Sequence, residues 1–322
     1  MEVVTNLENP IRIKITGQCN RKCFFCHQEG GMNIDTINFS KELKEMIELL
    51  SSELHMKSVA ITGGEPLLHD DLVSFMSKIM KCQGMKRFSI TTNGTISKPE
   101  KFWRILHQEG LYKVNISMPD ILLGNTQNLI NAKWSINSDN IFQNQKQMIQ
   151  ILNSLGVEVK VNIAIINDEF YTMSVLEQLM KLKDLSFEIV LLPNITNERT
   201  FSYSQLIIKN IIKIMELKLI SIRQRKATSN AIYIYQNDEG RKIQIKTTKL
   251  NTVTQKLNTI CQNCPLNDKC QEGFYGIRVE QIKGVLYVRL CIHRSSEEVL
   301  IPFESFIKSP AFYELKELWG KE

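Results

Sequence analysis

The 322-residue sequence predicts an α/β protein built on a parallel sheet and followed by a small cysteine-bearing extension. Three observations carry that reading. Strand-like and helix-like segments alternate from residue 11 to residue 192 with little interruption. Several of the strand segments are continuous apolar runs, as parallel strands covered on both faces require. After Pro193 the alternation stops, and hairpin signals and four cysteines take its place.

Each element follows from its residues. Residues 11–16 alternate β-branched and polar side chains and read as the first strand. The helix at 40–54 has Ser40 as a cap and Leu43, Ile47 and Leu50 as an apolar stripe. Strands follow at 58–62, 87–92, 112–117, 157–166 and 187–192, with helices at 70–80, 99–108, 140–155 and 172–183. Six strands, each but the last followed by a helix, imply right-handed crossovers and one parallel sheet. Periodicity leaves open whether that sheet is doubly wound or curved into a barrel. The apolar runs are 59–61, 163–166 and 189–192.

Beyond Pro193, 194–200 is a polar linker and 204–219 a helix. Segments 231–235 and 242–245 read as a hairpin turning at 238–240. A second hairpin joins 275–281 to 285–290 through Lys283 and Gly284, and a closing helix lies at 303–318. No internal repeat or low-complexity tract interrupts the chain.

Composition excludes several classes. Apolar residues at 43% and charged residues at 23% are ordinary for a globular enzyme and far from disordered or fibrous chains. Forty basic against 34 acidic residues give +6, which permits an anionic ligand but falls short of a nucleic-acid footprint. Residues 1–10 are short and polar, unlike a secretory signal, and no apolar run approaches the ~20 residues of a membrane span. A cytoplasmic protein is expected, with neither nucleic acid nor membrane as a partner. In that compartment thiols stay reduced, so clustered cysteines read as metal or redox sites.

The eight cysteines are placed unevenly. Cys19, Cys23 and Cys26 form a CxxxCxxC run in the loop after the first strand. Cys261, Cys264, Cys270 and Cys291 stand near the end, and Cys82 lies between as a small buried hydrophobe. A compact loop can aim three thiolates at one centre, and thiolates suit iron–sulfur clusters and zinc. Three ligands leave a metal ion open to a further one, which chemistry needs and a structural site avoids. The alternative is a zinc site completed by His27.

This run resembles that of the radical S-adenosylmethionine enzymes, whose hallmark is CxxxCxxC after the first strand with an aromatic residue before the third cysteine, here Phe25. The resemblance implies a partial (β/α)6, TIM-like barrel with a small C-terminal auxiliary-cluster extension. It implies that Cys19, Cys23 and Cys26 hold a 4Fe–4S cluster whose open iron chelates the methionine end of S-adenosylmethionine. Reductive cleavage then yields a 5′-deoxyadenosyl radical that abstracts hydrogen from substrate.

Gly63-Gly64-Glu65-Pro66 after the second strand matches the family's GGEP, implied to meet the methionyl amine. Glycines allow close backbone approach, although alone the run is also an ordinary strand-to-helix turn. Asn93, in a TTNG turn, Ser117 at the end of the fourth strand and Asn162 on the fifth are implied cofactor contacts. Thr and Asn also cap turns without binding anything. The resemblance covers residues 11–192 and divides the chain into a core at 1–200 and an extension at 201–322.

The C-terminal set is a CxxC with two further cysteines. Four thiolates suit a structural zinc knuckle, but behind this core the resemblance implies a second, auxiliary 4Fe–4S cluster. The order Cys261, Cys264, Gly276-Ile277-Arg278, Gly284, Cys291, with Arg12 and GGEPLLHDDL at 63–72, is similar to the GTP 3′,8-cyclase family of molybdenum-cofactor biosynthesis. The departures are Gly17-Gln18 for that family's Asp-Arg, Gly276 for the first of its paired arginines, the inserted Cys270, and no terminal glycine pair. Losing one of two bidentate anion contacts is not a neutral change.

Cys270 has two readings, a fourth cluster ligand or a catalytic hydrogen-atom donor. Arg278 and Arg289, flanking the auxiliary cysteines, are the substrate-binding candidates. Arg223, Arg225, Lys226 and the basic strand 241–249 read as a solvated face. The expected activity is hydrogen abstraction from a small-molecule or peptide substrate in cofactor or natural-product biosynthesis, fed by a reductant such as flavodoxin or ferredoxin. GTP 3′,8-cyclase is the alternative, and a zinc-binding interaction protein the rival from another class. Ten residues before the first strand are too few for a folded leader-peptide module, which weighs against a ribosomal peptide.

Overall fold

The computed structural model describes residues 1–23, 26, 34–117, 130–132, 138–165, 168–194, 198–229, 231–247, 255–268, 270 and 272–320. The chain opens with β1 (Glu2–Leu7), β2 (Ile11–Lys14), β3 (Arg21–Cys23), α1 (Lys41–Leu54), β4 (Ser58–Thr62), α2 (Leu72–Met80), β5 (Arg87–Thr92) and α3 (Glu100–Gln108). It continues through β6 (Leu111–Ser117), β7 (Ile130–Ala132), α4 (Ser138–Ser154), β8 (Glu158–Ala164), α5 (Glu169–Lys181), β9 (Glu188–Leu192) and α6 (Glu198–Ile214). The last part holds β10 (Lys218–Arg225), β11 (Ala231–Gln236), β12 (Lys242–Thr247), α7 (Asn258–Cys261), β13 (Arg278–Ile282), β14 (Val285–Arg289), β15 (Leu300–Pro302), α8 (Phe303–Phe306) and α9 (Pro310–Gly320).

The six expected strands are β2, β4, β5, β6, β8 and β9, adjacent and parallel in that order. Helices α1 to α5 link them, giving a partial (β/α)6 barrel within a curled 13-stranded sheet. The sheet continues past both edges of the core. On one side β12 pairs parallel with β9, and β11, β10 and β1 follow. On the other β13 pairs parallel with β2, and β14 and β15 follow.

Local chemistry explains the elements. Ser40 accepts a hydrogen bond from Leu43 N at 3.1 Å and caps α1, whose Leu43, Met46, Ile47, Leu50 and Leu54 are buried. β4 is buried at all five residues, as a covered parallel strand should be. β6 and β8 alternate instead. Val114, Ile116, Val159, Val161 and Ile163 enter the apolar core. Their neighbours Lys113, Asn115, Ser117, Lys160 and Asn162 line a cavity on the concave face.

Four expectations are corrected. Residues 2–7, read as a polar terminus, form β1 and pair with β10. The helix expected at 204–219 runs from Glu198 to Ile214, and Lys218–Arg225 is a strand; Glu216, with φ 49°, ends the helix in a left-handed turn. The early start of that helix shortens the polar linker. The closing helix is split, because Pro310 lacks the N–H to continue α8 and begins α9 instead.

Candidate active site

A cavity of about 2100 Å³, counting its open mouth, fills the concave face of the sheet. Cys19, Cys23 and Cys26 stand at one part of its wall together with Gly63, Gly64 and Asn93. Ser117 and Asn162 are register partners on β6 and β8 and line the same cavity. Phe25 and His27 lie outside the described residues.

The glycine pair has a demanding local task. A Cβ on Gly63 would sit 2.5 Å from Thr16 O, and one on Gly64 would sit 2.0 Å from Gln18 O. Gly64 N and Glu65 N donate to those same carbonyls at 2.7 and 2.8 Å. The turn is therefore docked backbone to backbone against the segment that leads into the cysteine loop.

Glu65 and Pro66 do not reach the cavity wall. Glu65 is fully buried and accepts from Leu67 N (3.0 Å), Thr92 Oγ1 (2.6 Å) and Asn93 N (2.7 Å). Burial pushes its carboxyl up, and these donors oppose the shift. Pro66, also buried, starts the short 3-10 turn that Glu65 caps. Asn93 in turn donates to Asn20 Oδ1 at 2.9 Å and accepts from Thr95 N and Thr95 Oγ1. Glu65, Asn93 and Asn20 thus tie three loops at the carboxyl ends of β2, β4 and β5. Asn20, Thr92 and Thr95 were not singled out from the sequence; their lying beside the cysteine and glycine runs is the signal that could have found them.

Cys19 accepts a hydrogen bond from Arg21 N at 3.4 Å, and Cys26 N donates to Cys23 O at 3.1 Å. Burial raises the Cys19 thiol, with Glu65 and Cys26 acting in the same direction. Three thiols around one folded loop, open to a large cavity, fit a cluster with one uncommitted iron.

The rest of the wall is basic. Among the described residues Arg12, Arg21, Lys113, Lys160, Arg225, Lys246 and Arg278 line it, against one carboxylate, Glu272. Arg225 and Lys246, read from the sequence as parts of a solvated face, belong to this wall. Lys160 is held by Glu158 and Glu188, each at 3.2 Å, and by Gln244 at 3.1 Å. Among the described residues Lys113 donates to Tyr112 Oη at 3.2 Å and has no carboxylate within ion-pair distance. Burial, with Lys160 and Arg225 nearby, lowers its pKa to about 8.

Arg278 reaches the cavity, but Arg289 does not. Arg289 is 1% exposed and spends Nε and Nη2 on Glu280 Oε1, at 3.0 and 2.6 Å.

Cys261, Cys264, Cys270 and Cys291 surround a second, smaller cavity of about 390 Å³. Gly273 N donates to Cys270 Sγ at 3.3 Å and His293 N to Cys291 Sγ at 3.4 Å. Burial raises the Cys261 thiol, and the other three sulfurs reinforce the shift. Four sulfurs sharing one pocket with N–H donors at two of them suit a four-thiolate centre. Among the described residues, no three His, Cys, Asp or Glu side chains stand close enough to share a single metal ion. Cys270, Gly273 and Phe274 line the smaller cavity, and Glu272, Tyr275 and Arg278 line the larger. No helix among the described residues is long and apolar enough to cross a membrane.

A partial barrel with a three-cysteine loop at the strand ends and a polar concave face defines an enzyme built around a cluster and a small organic cofactor. The Radical SAM superfamily model matches residues 13–182, more than half of the chain, and the chain belongs to that superfamily. Membership brings one 4Fe–4S cluster and S-adenosylmethionine, and it sets aside the zinc-binding interaction protein.

The chain is 24% identical over 299 residues to the GTP 3′,8-cyclase of Staphylococcus carnosus (strain TM300), spanning 88% of this chain and 83% of that one. It is 38% identical over 136 residues to the probable GTP 3′,8-cyclase of Methanothermobacter marburgensis, spanning 41% of this chain and 43% of that protein. The solved structure of native anSMEcpe with bound AdoMet shares the fold, with TM-score 0.58 at 15% identity over 97% of this chain and 84% of that one.

Proposed function

We propose that this radical S-adenosylmethionine enzyme carries two 4Fe–4S clusters and acts on a small anionic substrate held between them. The core at 1–200 supplies Cys19, Cys23 and Cys26, and the extension at 201–322 supplies Cys261, Cys264, Cys270 and Cys291. When bound, the first cluster and S-adenosylmethionine supply a 5′-deoxyadenosyl radical for hydrogen abstraction. The chain's own residues do the rest. Gly63, Gly64, Asn93, Ser117 and Asn162 shape the cofactor side of the cavity. Glu65 holds the loops that carry them.

The observation that carries the substrate reading is the basic wall, seven cations against Glu272 among the described residues. Arginine and lysine at a desolvated wall recognise phosphate or carboxylate groups. Cys270 faces the other three C-terminal sulfurs and not the larger cavity, which supports ligation over hydrogen-atom donation. Eight free thiols favour a reducing compartment, the cytoplasm, where a flavodoxin or ferredoxin would supply electrons.

The test is anaerobic reconstitution, then incubation with S-adenosylmethionine, a reductant and candidate phosphate-bearing substrates. Substrate-stimulated 5′-deoxyadenosine supports the reading; stimulation by neutral peptides alone sinks the anionic substrate.

The second reading is GTP 3′,8-cyclase, favoured by its match over most of the chain to the Staphylococcus carnosus enzyme. Arg12 and Arg278 are register partners on β2 and β13 and face the cavity together, whereas Gly276 removes one expected guanidinium. GTP as the test substrate separates the two. Conversion to a cyclised nucleotide product establishes the second reading, and 5′-deoxyadenosine formation that GTP does not raise removes it.

A further inference from the structure

Among the described residues two cations line the four-cysteine cavity, and they are engaged differently. Lys256 gives its ammonium to Asn267 O at 2.7 Å. Arg294 gives Nη1 to Ile260 O at 3.2 Å and Nη2 to Ser296 Oγ at 3.1 Å, pairs with Glu298, and lines the cavity beside the four cysteines. Its side chain is 19% exposed, whereas that of Glu298 is 68% exposed. Water therefore screens the carboxylate more than the guanidinium.

The backbone of Arg294 is anchored from below. Arg289 Nη1 donates to Arg294 O at 2.9 Å, and Arg289 is bound to Glu280, whose Oε2 lies 3.1 Å from Lys14 Nζ. Lys14, Glu280 and Arg289 are all 2% exposed or less and sit on β2, β13 and β14. A buried ionic triad thus runs from the strand that enters the first cysteine loop to the loop that wraps the second cysteine cavity. Such a triad is costly to bury, and breaking it is costlier, so it fixes its neighbours in one arrangement.

We propose that Arg294 is the positioning residue that raises the reduction potential of the cluster held by Cys261, Cys264, Cys270 and Cys291, and that the Lys14–Glu280–Arg289 triad holds it in place. The inference rests on the two-cluster reading above. Reduction adds negative charge to a thiolate-ligated cluster, and a cation on the wall of its cavity stabilises the reduced form more than the oxidised one. Four cysteine ligands leave electron transfer as the role of that cluster, so its potential is the property on which its work depends.

The test is a redox titration, followed by electron paramagnetic resonance, of the reconstituted full-length enzyme. The iron content of the wild type is measured first. One cluster per chain overturns the two-cluster reading and this inference with it. With two clusters present, Arg294→Gln is expected to change the reduced-to-oxidised ratio of the C-terminal cluster at least tenfold at fixed potential, a midpoint about 59 mV lower for one electron. The N-terminal cluster should not move, and Arg294→Lys should restore more than half of the shift. An unmoved midpoint in Arg294→Gln at full iron content overturns the inference. Should that variant lose the second cluster, Glu298→Gln is decisive. It keeps the guanidinium and removes its counter-charge, so the midpoint should rise; an unmoved one overturns the inference equally.

Discussion

Lys113 shows what a single buried charge does to this fold. Its ammonium faces a cavity already occupied by Lys160 and Arg225, with Arg87 adding to the repulsion and Glu158 opposing it. A pKa lowered to about 8 from 10.5 corresponds to a destabilisation on the order of 3 kcal/mol at neutral pH. Because the folded state binds fewer protons than the unfolded one between those values, stability rises as pH climbs from about 8 towards 10.5. A bound anion removes the penalty. Lys113→Met should raise the melting temperature of the ligand-free protein while weakening binding of a phosphate-bearing ligand, and wild-type affinity should fall as pH rises through about 8. Calorimetry across pH checks both, and a destabilised variant that keeps full affinity would show that Lys113 is structural.

Glu65 makes the opposite case. Glu65→Ala leaves Leu67 N, Thr92 Oγ1 and Asn93 N without their acceptor and should cost about 2–4 kcal/mol of unfolding free energy. Denaturant titration reads that loss, and an effect below about 1 kcal/mol would mean that water replaces the carboxylate fully. The CxxxCxxC and GGEP runs were legible in the sequence because their spacing is local. That Glu65 serves as a strut was not, since its partners at Thr92 and Asn93 are brought to it only by the parallel register of β4 and β5.

Among the elements, α9 links the two halves of the chain. Lys316 pairs with Glu53 on α1, while Glu314 caps α7 by accepting from Asn258 N (2.7 Å), Thr259 N (3.0 Å) and Thr259 Oγ1 (2.6 Å). Since α7 ends at Cys261, Glu314→Ala should cost about 1 kcal/mol and speed chelator extraction of iron from the C-terminal site. Equal extraction rates in variant and wild type would separate α9 from that site. The βα units of the core were readable because each strand carries an apolar face or run and each helix is amphipathic. β1 and β10 escaped notice because both are polar and half-exposed, and only their pairing with each other reveals them. The break at Pro310 was visible in the sequence, yet the apolar spacing on either side of it masked the stop.

At the scale of the whole molecule, core and extension share one sheet. β13 pairs with β2 at one edge of the core, and β1, at the start of the chain, closes against β10 of the later half. Neither half holds its sheet edges without the other, so the ligand-free protein should unfold in one calorimetric transition; two separated transitions would contradict a continuous sheet. The curl of that sheet was not readable from periodicity, because a flat and a curved parallel sheet bury the same strand pattern. The placing of Arg225 and Lys246 on the cavity wall was equally hidden, since it depends on β10 and β12 wrapping back to β9.

The central claim is two clusters with different ligands and different tasks. Its most direct test is the iron content of the anaerobically reconstituted variant in which Cys19, Cys23 and Cys26 are all changed to Ala. The account predicts about eight irons per wild-type chain and about four in this variant, retained by the C-terminal cysteines. A variant that binds no iron, or a wild type that holds only four, would contradict it.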